Sequence, residues 1–226
     1  MPYLHPTTLL RLSALLLPWL LCSCEQDTYE KGTGQYSLLQ ADFIEAYVDN
    51  NKLVSHVTTD DDVTLQLVQP YTPRWEAKTD TIYRALLYYN KVEGKAEVVT
   101  LALVPTSGIV PVDSLKDGMK TDPVRFESAW LSKHRRYLNV GIYLKIGQTD
   151  NSEAIHKMGI VADSVATAAD GKRTLCLQLY HDQGGMPEYY SQRSYFSIPL
   201  QGITTDSIAL TLNTYDGVVS KRFALR

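Results

Sequence analysis

Hydrophobic and polar residues alternate with a period of two along most of the chain. The clearest run has hydrophobic side chains at every second position: Leu138, Val140, Ile142, Leu144 and Ile146. Small or polar residues occupy the positions between them: Asn139, Gly141, Tyr143 and Lys145. Because successive side chains of a strand point to opposite faces, this pattern predicts a strand with one buried face. Shorter runs of the same kind lie at residues 63–67, 99–103, 175–179 and 208–212.

Turn signals separate these runs. Glu93-Gly94, Asp170-Gly171 and Asp216-Gly217 each lie between two predicted strands, where they favour a tight turn. Helical spacing is almost absent, and only residues 150–156 are predicted to form one or two helical turns. Many short strands separated by turns are typical of an all-β barrel or sandwich.

An apolar segment of ten residues, 12–21, lies near the amino terminus. As a helix it would span about 15 Å, which is half of the ~30 Å hydrocarbon core of a bilayer. The segment is therefore too short to cross a membrane and has the length of a signal-peptide core. Only the amino terminus, His5 and Arg11 can supply positive charge before or at its start.

The residues after this segment indicate which kind of signal it is. Leu21-Cys22-Ser23-Cys24 resembles a bacterial lipobox, with leucine three positions before Cys24 and a small residue directly before it. We therefore predict a lipoprotein signal peptide over residues 1–23 and lipidation of Cys24. The alternative is an ordinary secretory signal followed by two incidental cysteines. Lipidation would anchor the chain stably, because each buried CH₂ group contributes about 0.8 kcal/mol.

The cysteine content agrees with an exported chain that folds without a disulfide. Cleavage before Cys24 would remove Cys22, and the lipid would block Cys24, which leaves Cys176 alone. Cys176 lies in a run of alternating leucines, and we interpret it as a packed thiol rather than a nucleophile. Residues 24–35 carry no apolar pattern and predict a flexible tether. Their acidic residues resemble the export tags of some surface lipoproteins, and the alternative is a solvated linker.

Composition and charge are those of a globular protein with two unlike halves. The chain has 226 residues, of which 44% are hydrophobic, and its net charge of −3 argues against a nucleic-acid-binding protein. A polar segment at residues 113–123 suggests a boundary, so we predict one domain over residues 36–115 and a second over residues 116–226. Residues 24–115 have a net charge of −7, and the second domain has +3. The second domain is therefore suited to an acidic partner, unless the asymmetry reflects drift in surface charge.

The order of motifs in the second half resembles the NigD-like lipoproteins of Gram-negative anaerobes. These motifs are Asp122-Pro123-Val124, Ser128-Ala129-Trp130, Tyr137-Leu138-Asn139-Val140, Leu177-Gln178-Leu179-Tyr180-His181-Asp182 and Ser197-Ile198-Pro199-Leu200. The resemblance implies an all-β fold with an N-terminal OB-like barrel and a C-terminal antiparallel β-sandwich. It covers nearly the whole mature chain, with weaker motifs over residues 36–112. The family takes its name from a bacteriocin-associated gene cluster, and the resemblance implies no enzymatic activity.

The sequence carries no motif of a familiar catalytic or metal centre. A nucleophile elbow, a P-loop and the His-Glu-x-x-His motif are all absent, and the histidines lack metal-ligand spacing. We therefore predict no catalytic residue, no metal and no cofactor. The alternative is a hydrolase in which His181 is the base and Ser194 or Ser197 is the nucleophile. We interpret His181, Trp130 and Asn139 as structural residues that pack or hydrogen-bond to the backbone.

Tyrosine is unusually frequent, with 15 residues, and supplies the candidate binding surfaces. Tyr83 and Tyr89 share one face of a predicted strand and could stack on a sugar or a peptide. Glu188, Tyr189 and Tyr190 lie in a predicted hairpin, where tyrosines suit protein contacts. OB folds often bind oligonucleotides or sugars, but the charge of the first half argues against nucleic acid.

Together these features predict a non-enzymatic lipoprotein of the outer membrane, on its periplasmic face or at the cell surface. The membrane would be reached through lipidated Cys24, and the protein would act as a binding or accessory module for a protein or glycan ligand. The family resemblance implies an immunity-like role towards a bacteriocin. The alternatives are a carbohydrate-binding accessory lipoprotein and an envelope hydrolase centred on His181.

Overall fold

Residues 38–226 are described by the computed structural model, and they form thirteen β-strands. The predicted signal peptide, the tether with Cys24, and the first two residues of the predicted first domain lie outside the described residues. Within residues 38–226, no helix is long and apolar enough to span a bilayer.

The first five strands close into a barrel. They are β1 (Gln40–Val48), β2 (Val54–Thr59), β3 (Thr64–Tyr71), β4 (Thr81–Val92) and β5 (Lys95–Leu103). Their order around the barrel is β1-β2-β3-β5-β4, and β4 pairs with β1 to close it. β3 and β5 are parallel, whereas the other neighbours are antiparallel. This five-stranded Greek-key order is that of an OB fold, so the expected OB-like barrel is confirmed.

The remaining strands form the two sheets of a sandwich. They are β6 (Ile109–Pro111), β7 (Arg125–Leu131), β8 (Tyr137–Ile146), β9 (Lys157–Thr167), β10 (Arg173–Asp182), β11 (Tyr190–Pro199), β12 (Ser207–Thr214) and β13 (Gly217–Ala224). One sheet has the order β13-β12-β10-β9-β6 and the other β11-β8-β7. Most neighbours are antiparallel as expected, but β10 is parallel to β12 and β6 is parallel to β9. The strand β6 belongs to the sandwich, although it lies within the predicted first domain, residues 36–115.

Each half has its own hydrophobic core. The barrel interior is filled from alternate positions of β1 and β4, such as Ile44 and Leu87, which are fully buried. The alternating hydrophobic residues predicted for β8 fill the sandwich between its two sheets. The helical turns predicted for residues 150–156 are absent. There the Asn151 side chain accepts a hydrogen bond from the Glu153 amide at 3.0 Å, a local turn that competes with helix.

A buried guanidinium joins the barrel to the sandwich. Arg84 lies on the outer face of β4, and only 1% of its side chain is exposed. Its Nη2 donates to Asp60 at 2.7 Å and to Asn139 at 3.0 Å, and its Nε donates to Ser197 at 3.2 Å. The Asn139 amide also donates to Asp60 at 2.8 Å, so barrel and sandwich side chains share one hydrogen-bonded network. The Tyr137 ring covers the guanidinium, with its centroid 4.3 Å from Cζ.

A second set of charges surrounds this network. Arg136 of the sandwich pairs with Glu45 at 2.6 Å and with Asp62 at 2.7 Å, both on the barrel. His134 lies 2.8 Å from Asp62. The acidic charge of the barrel and the basic charge of the sandwich thus meet within the chain itself. At least one acidic surface faced by the second half is its own barrel.

We predict that replacing Arg84 with methionine destabilises the fold strongly. The change removes the cation that pairs with Asp60 and the donors to Asn139 and Ser197. Loss of one member of a buried ion pair costs about 3–5 kcal/mol, measured as the free energy of unfolding in urea. Arg222→Met is the matched control, because Arg222 is exposed on β13, and we expect a change within about 0.5 kcal/mol there.

The double variant Arg84→Met/Asp60→Asn tests the cause of this loss. It removes the unpaired buried charge together with its partner, so we expect it to be more stable than Arg84→Met alone. An Arg84→Met variant as stable as Arg222→Met would contradict the importance of the network.

Candidate functional site

A groove opens beside the buried Arg84 network, between the barrel and the three-stranded sheet. Its volume is about 500 Å³. Four aromatic side chains line it: Phe43, Tyr88, Trp130 and Tyr195. Phe43 and Tyr88 belong to the barrel strands β1 and β4, whereas Trp130 and Tyr195 belong to β7 and β11. The groove therefore depends on both halves of the described chain.

The aromatic side chains contact one another edge to face. The Phe43 ring lies 5.2 Å from the Trp130 ring and 5.4 Å from the Tyr195 ring, with interplanar angles of 85° and 89°. The centroids of Trp130 and Tyr195 are 6.4 Å apart. Such T-shaped contacts contribute about 0.5–1.5 kcal/mol each beyond the area they bury. The cluster gives the groove a preformed aromatic wall that links barrel and sandwich.

A guanidinium lies at the sandwich side of the groove. Arg193 of β11 pairs with Glu127 at 2.8 Å and donates to the Tyr143 hydroxyl at 3.0 Å. The Arg125 guanidinium also lies over Tyr143, with its Cζ 5.0 Å from the ring centroid. Burial and the Glu127 carboxylate raise the pKa of Tyr195, so its hydroxyl keeps its proton and can donate a hydrogen bond.

Carboxylates lie at the barrel side. Asp42, Asp60 and Asp61 line the groove there. Asp42 accepts a hydrogen bond from Tyr89 at 2.8 Å, and burial followed by this bond raises the pKa of Tyr89 to about 12. The Oδ1 atom of Asp60 is buried without a hydrogen-bond partner among the described residues. Lys133 adds a cation near these acidic groups, so the groove presents both signs of charge.

This combination suits binding more than bond chemistry. Aromatic faces can stack on an apolar or planar group, while the carboxylates and guanidinium can hydrogen-bond to a peptide or to sugar hydroxyls. The Ser197 hydroxyl at the junction is engaged in a structural contact, because its Oγ donates a hydrogen bond to Asn139 at 2.7 Å.

The predicted barrel surface is only partly exposed. Tyr83 and Tyr89 do share one face of β4, as expected, but this face points into the barrel. Tyr89 is 4% exposed and belongs to the core. Tyr83 packs against that core, and its hydroxyl accepts a hydrogen bond from the Lys78 amide at 2.7 Å. It is Tyr88, on the opposite face, that lines the groove.

The predicted hairpin surface lies in the part of the sandwich where β10 connects to β11. Tyr189 and Tyr190 are well exposed, Tyr189 at 76%. Glu188 accepts a hydrogen bond from Gln183 at 3.0 Å. Tyr189 lies against Gly147, where an added Cβ would come within 2.7 Å of the ring. These three residues are absent from the lining of the groove.

The residues predicted to be structural lie in tightly packed positions. Asn139 is fully buried in the Arg84 network, whereas Trp130 is half-buried and also faces the groove. His181 is 1% exposed, and its Nδ1 donates to the carbonyl oxygen of Asp122 at 2.8 Å. Cys176 is half-buried and unbonded to another cysteine among residues 38–226.

The structure does not assemble the hydrolase considered as an alternative. Both ring nitrogens of His181 are engaged, one by Asp122 and the other by His156 at 2.9 Å. The Ser197 hydroxyl lies in the Arg84 network instead, and Ser194 makes no side-chain hydrogen bond to His181. Over residues 38–226, no group of three or more His, Cys, Asp or Glu side chains is placed to hold a metal ion.

Sequence reasoning named Trp130 as a structural residue, but it missed Phe43, Arg193 and Tyr195 of the groove and Arg84 of the adjoining network. Phe43, Arg84 and Tyr195 come from strands far apart in sequence, so no local spacing marks them. The sequence did carry a signal at Asn139, which is the one amide on the face of β8 that also bears Gly141, Tyr143 and Lys145. A buried side chain of this kind must find polar partners, and here they are Arg84 and Asp60.

The fold defines a class of protein: an all-β protein in which an OB-like barrel is joined to a β-sandwich. The NigD-like C-terminal beta sandwich domain matches residues 108–224. The chain therefore belongs to the NigD-like family, and the resemblance noted from its motifs is confirmed. No curated protein matches the chain.

Solved structures share this fold. A NigD-like immunity protein from Bacteroides caccae superposes with a TM-score of 0.64 at 23% identity, over 83% of this chain and 97% of that one. A protein from Parabacteroides distasonis, provisionally described as toxin-related, gives 0.61 at 15% identity over 82% and 92%. A protein from Bacteroides fragilis, provisionally described as a lipoprotein, gives 0.59 at 13% identity over 82% and 96%.

We predict that Gly141→Ala perturbs the groove from beneath. Gly141 lies on β8, and an added Cβ would lie 2.8 Å from Tyr195 Cε1 and 2.9 Å from Ser128 Oγ. Overpacking of this kind costs about 1–3 kcal/mol, measured by urea denaturation, and should shift the tryptophan fluorescence of the native state. The control is Gly159→Ala on β9, where the closest atom is 4.0 Å away. Equal effects at the two glycines would argue against a tightly packed groove floor.

Proposed function

We propose that this chain is a non-enzymatic, lipid-anchored protein of the cell envelope with an immunity-like role towards a bacteriocin. In this role it acts as a binding module, and its ligand occupies the groove between barrel and sandwich. The observation that supports this proposal is the groove itself, in which four aromatic side chains and charges of both signs surround a volume of about 500 Å³.

The similar proteins support the bacteriocin association. One of them is named a NigD-like immunity protein and another is provisionally described as toxin-related. Their identities to this chain are 23% and 15%, so the shared property is the fold, and the role is our inference. A barrel and a sandwich joined by buried charges also suit a rigid receptor, because a preformed site orders few groups on binding.

The lipid anchor rests on the sequence around Cys24 and on the similar protein provisionally described as a lipoprotein. Lipidation followed by transport would place the chain at the outer membrane, on its periplasmic face or at the cell surface. The tether of residues 24–35 would separate the barrel from the lipid. The acyl chains would hold the protein at the bilayer.

We predict that Cys24→Ser releases the protein from the membrane. Serine cannot accept the thioether-linked lipid, so the variant loses its acyl chains and their membrane affinity. Cell fractionation should find the wild type with the outer membrane and the variant in soluble fractions. Cys22→Ser is the matched control and should stay membrane-bound. A Cys24→Ser variant that remains in the membrane fraction would overturn the anchor.

We predict that a Tyr88→Ala/Arg193→Ala variant loses protection against a bacteriocin. Both side chains line the groove, and losing a central contact costs about 2 kcal/mol or more, roughly 30-fold in affinity. A strain lacking the gene is complemented with each variant and challenged with purified bacteriocins, and survival is measured. Tyr215→Ala is the control, since Tyr215 is exposed and absent from the groove lining.

The same experiment separates the parts of the proposal. Wild-type and Tyr215→Ala cells should survive where the groove variant does not. Full protection by the groove variant would overturn the groove as the binding site. If none of the bacteriocins distinguishes cells with the gene from cells without it, the immunity role is wrong.

A carbohydrate-binding function is the second candidate, because aromatic rings beside carboxylates and a guanidinium also suit sugar rings and hydroxyls. Trp130 in the groove wall gives a direct probe. Titration of polysaccharides should quench its fluorescence in the wild type and not in the Tyr88→Ala/Arg193→Ala variant. An unchanged signal with every polysaccharide would reject this candidate.

A further inference from the structure

Two histidines form a pair inside the sandwich, away from the groove. His181 lies near the end of β10, and His156 directly precedes β9. The Nδ1 of His156 lies 2.9 Å from the Nε2 of His181, and the two rings are 17° from parallel. His181 is buried and His156 is half-buried.

The outer nitrogens of the pair both face carbonyl oxygens. The Nε2 of His156 lies 3.0 Å from the oxygen of Lys145, and the Nδ1 of His181 lies 2.8 Å from the oxygen of Asp122. A carbonyl oxygen can only accept a hydrogen bond, so each of these nitrogens must carry a proton. The two inner nitrogens then need one further proton between them to form an N–H···N bond.

Counting protons gives the charge of the pair. Three protons on four ring nitrogens satisfy all three contacts, and this state carries one positive charge. With two protons, one contact sets two lone pairs against each other. With four protons, two N–H groups face each other at the inner contact. Only the singly charged pair therefore fits the observed distances.

Charged groups of the neighbouring elements surround the pair. They are Lys120 and Asp122 before β7, Lys145 of β8, Lys157 of β9, and Asp182 of β10. Asp182 pairs with Lys120 at 2.7 Å, which neutralises both. The Asp122 carboxylate accepts a hydrogen bond from the Gln183 amide at 2.7 Å and favours a positive charge on His156.

The pair lies beside two loops, and the second of them carries the exposed Tyr189 and leads into Tyr190 at the start of β11. The loop from β8 to β9 ends at His156, and its Ile155 carbonyl oxygen lies against Gly184 in the loop from β10 to β11. An added Cβ at Gly184 would collide with that oxygen, so the two loops are in close contact. Tyr189 in the second loop packs on Gly147 in the first and donates its amide to Ile146 at 3.0 Å.

We propose that His156 and His181 hold a single shared proton, and that this proton clamps the loop from β8 to β9 against the loop that carries Tyr189 and leads into Tyr190. The device makes the exposed tyrosine surface depend on pH. At a pH where the pair carries three protons, and so one positive charge, the inner N–H···N bond ties His156, at the end of its loop, to His181 of β10. A fourth proton, which gives the pair a second positive charge, breaks the inner contact and releases the loop.

The direction of the pH dependence follows from burial. Burial, followed by the charge of His181, lowers the pKa of His156, so the folded chain resists the fourth proton on the pair. In the unfolded chain His156 takes up a proton near pH 6.5. The folded state then binds fewer protons than the unfolded state, so the stability of the loops falls as the pH falls below about 6.5.

Nitrogen NMR of the imidazoles in the mature chain tests the proton count directly. At pH 7 we expect three protonated nitrogens among the four of the pair, with one proton correlated to both inner nitrogens. One protonated nitrogen on each ring would overturn the shared proton. This measurement uses the wild type, so it does not depend on whether a variant folds.

Hydrogen exchange tests the clamp. The protection factor of the Tyr189 amide should fall several-fold between pH 7 and pH 5 in the wild type. In His156→Gln it should be lower at pH 7 and should depend less on pH over this range, because glutamine cannot share the proton with His181. His134→Gln is the control, since His134 is exposed beside Asp62 at the barrel, and it should behave as the wild type. A wild-type protection factor that is independent of pH would overturn the clamp.

Discussion

The burial of one guanidinium between two hydrophobic cores is the constraint on which the architecture depends. Arg84 projects from the barrel, and its acceptors come from both sides of the junction: Asp60 on the barrel, Asn139 and Ser197 on the sandwich. A buried charge without partners costs several kcal/mol, so the barrel and the sandwich must keep one relative position to satisfy it. Apolar contacts alone would allow the barrel to rotate slightly against the sandwich, whereas the directional hydrogen bonds of this network allow few such rotations.

The groove follows from that fixed position. Its aromatic wall is shared between the barrel and the sandwich, since the Phe43 ring of the barrel contacts Trp130 and Tyr195 of the sandwich. Asp60 belongs both to the network and to the lining of the groove, whereas Tyr88 and Arg193 line the groove without taking part in the network. Residues such as Tyr88 and Arg193 can therefore vary without disturbing the buried charge.

Local pattern predicted much of the fold and little of the site. The alternation in β8 predicted which of its residues are buried, and closure of the barrel followed from the family resemblance rather than from spacing. The same alternation placed Tyr83 and Tyr89 on one face, but it could not say that this face points into the barrel. Arg84 and Asn139 are 55 residues apart in sequence. Their contact is a tertiary event that no single-strand pattern encodes.

The charge asymmetry of the two halves has an internal explanation at the junction. Glu45, Asp60 and Asp62 of the barrel contact arginine, histidine or amide groups there. Part of the negative charge of the barrel is therefore neutralised by groups of the same chain. The Arg84 pair is buried and therefore little affected by salt, whereas the Arg136 pairs are about one-third exposed on the arginine side and are screened more. Attachment of barrel to sandwich thus rests on the buried pair, and the outer pairs add orientation. Net charge per half is consequently a poor guide to an external partner here, and the chemistry of the groove is the better one.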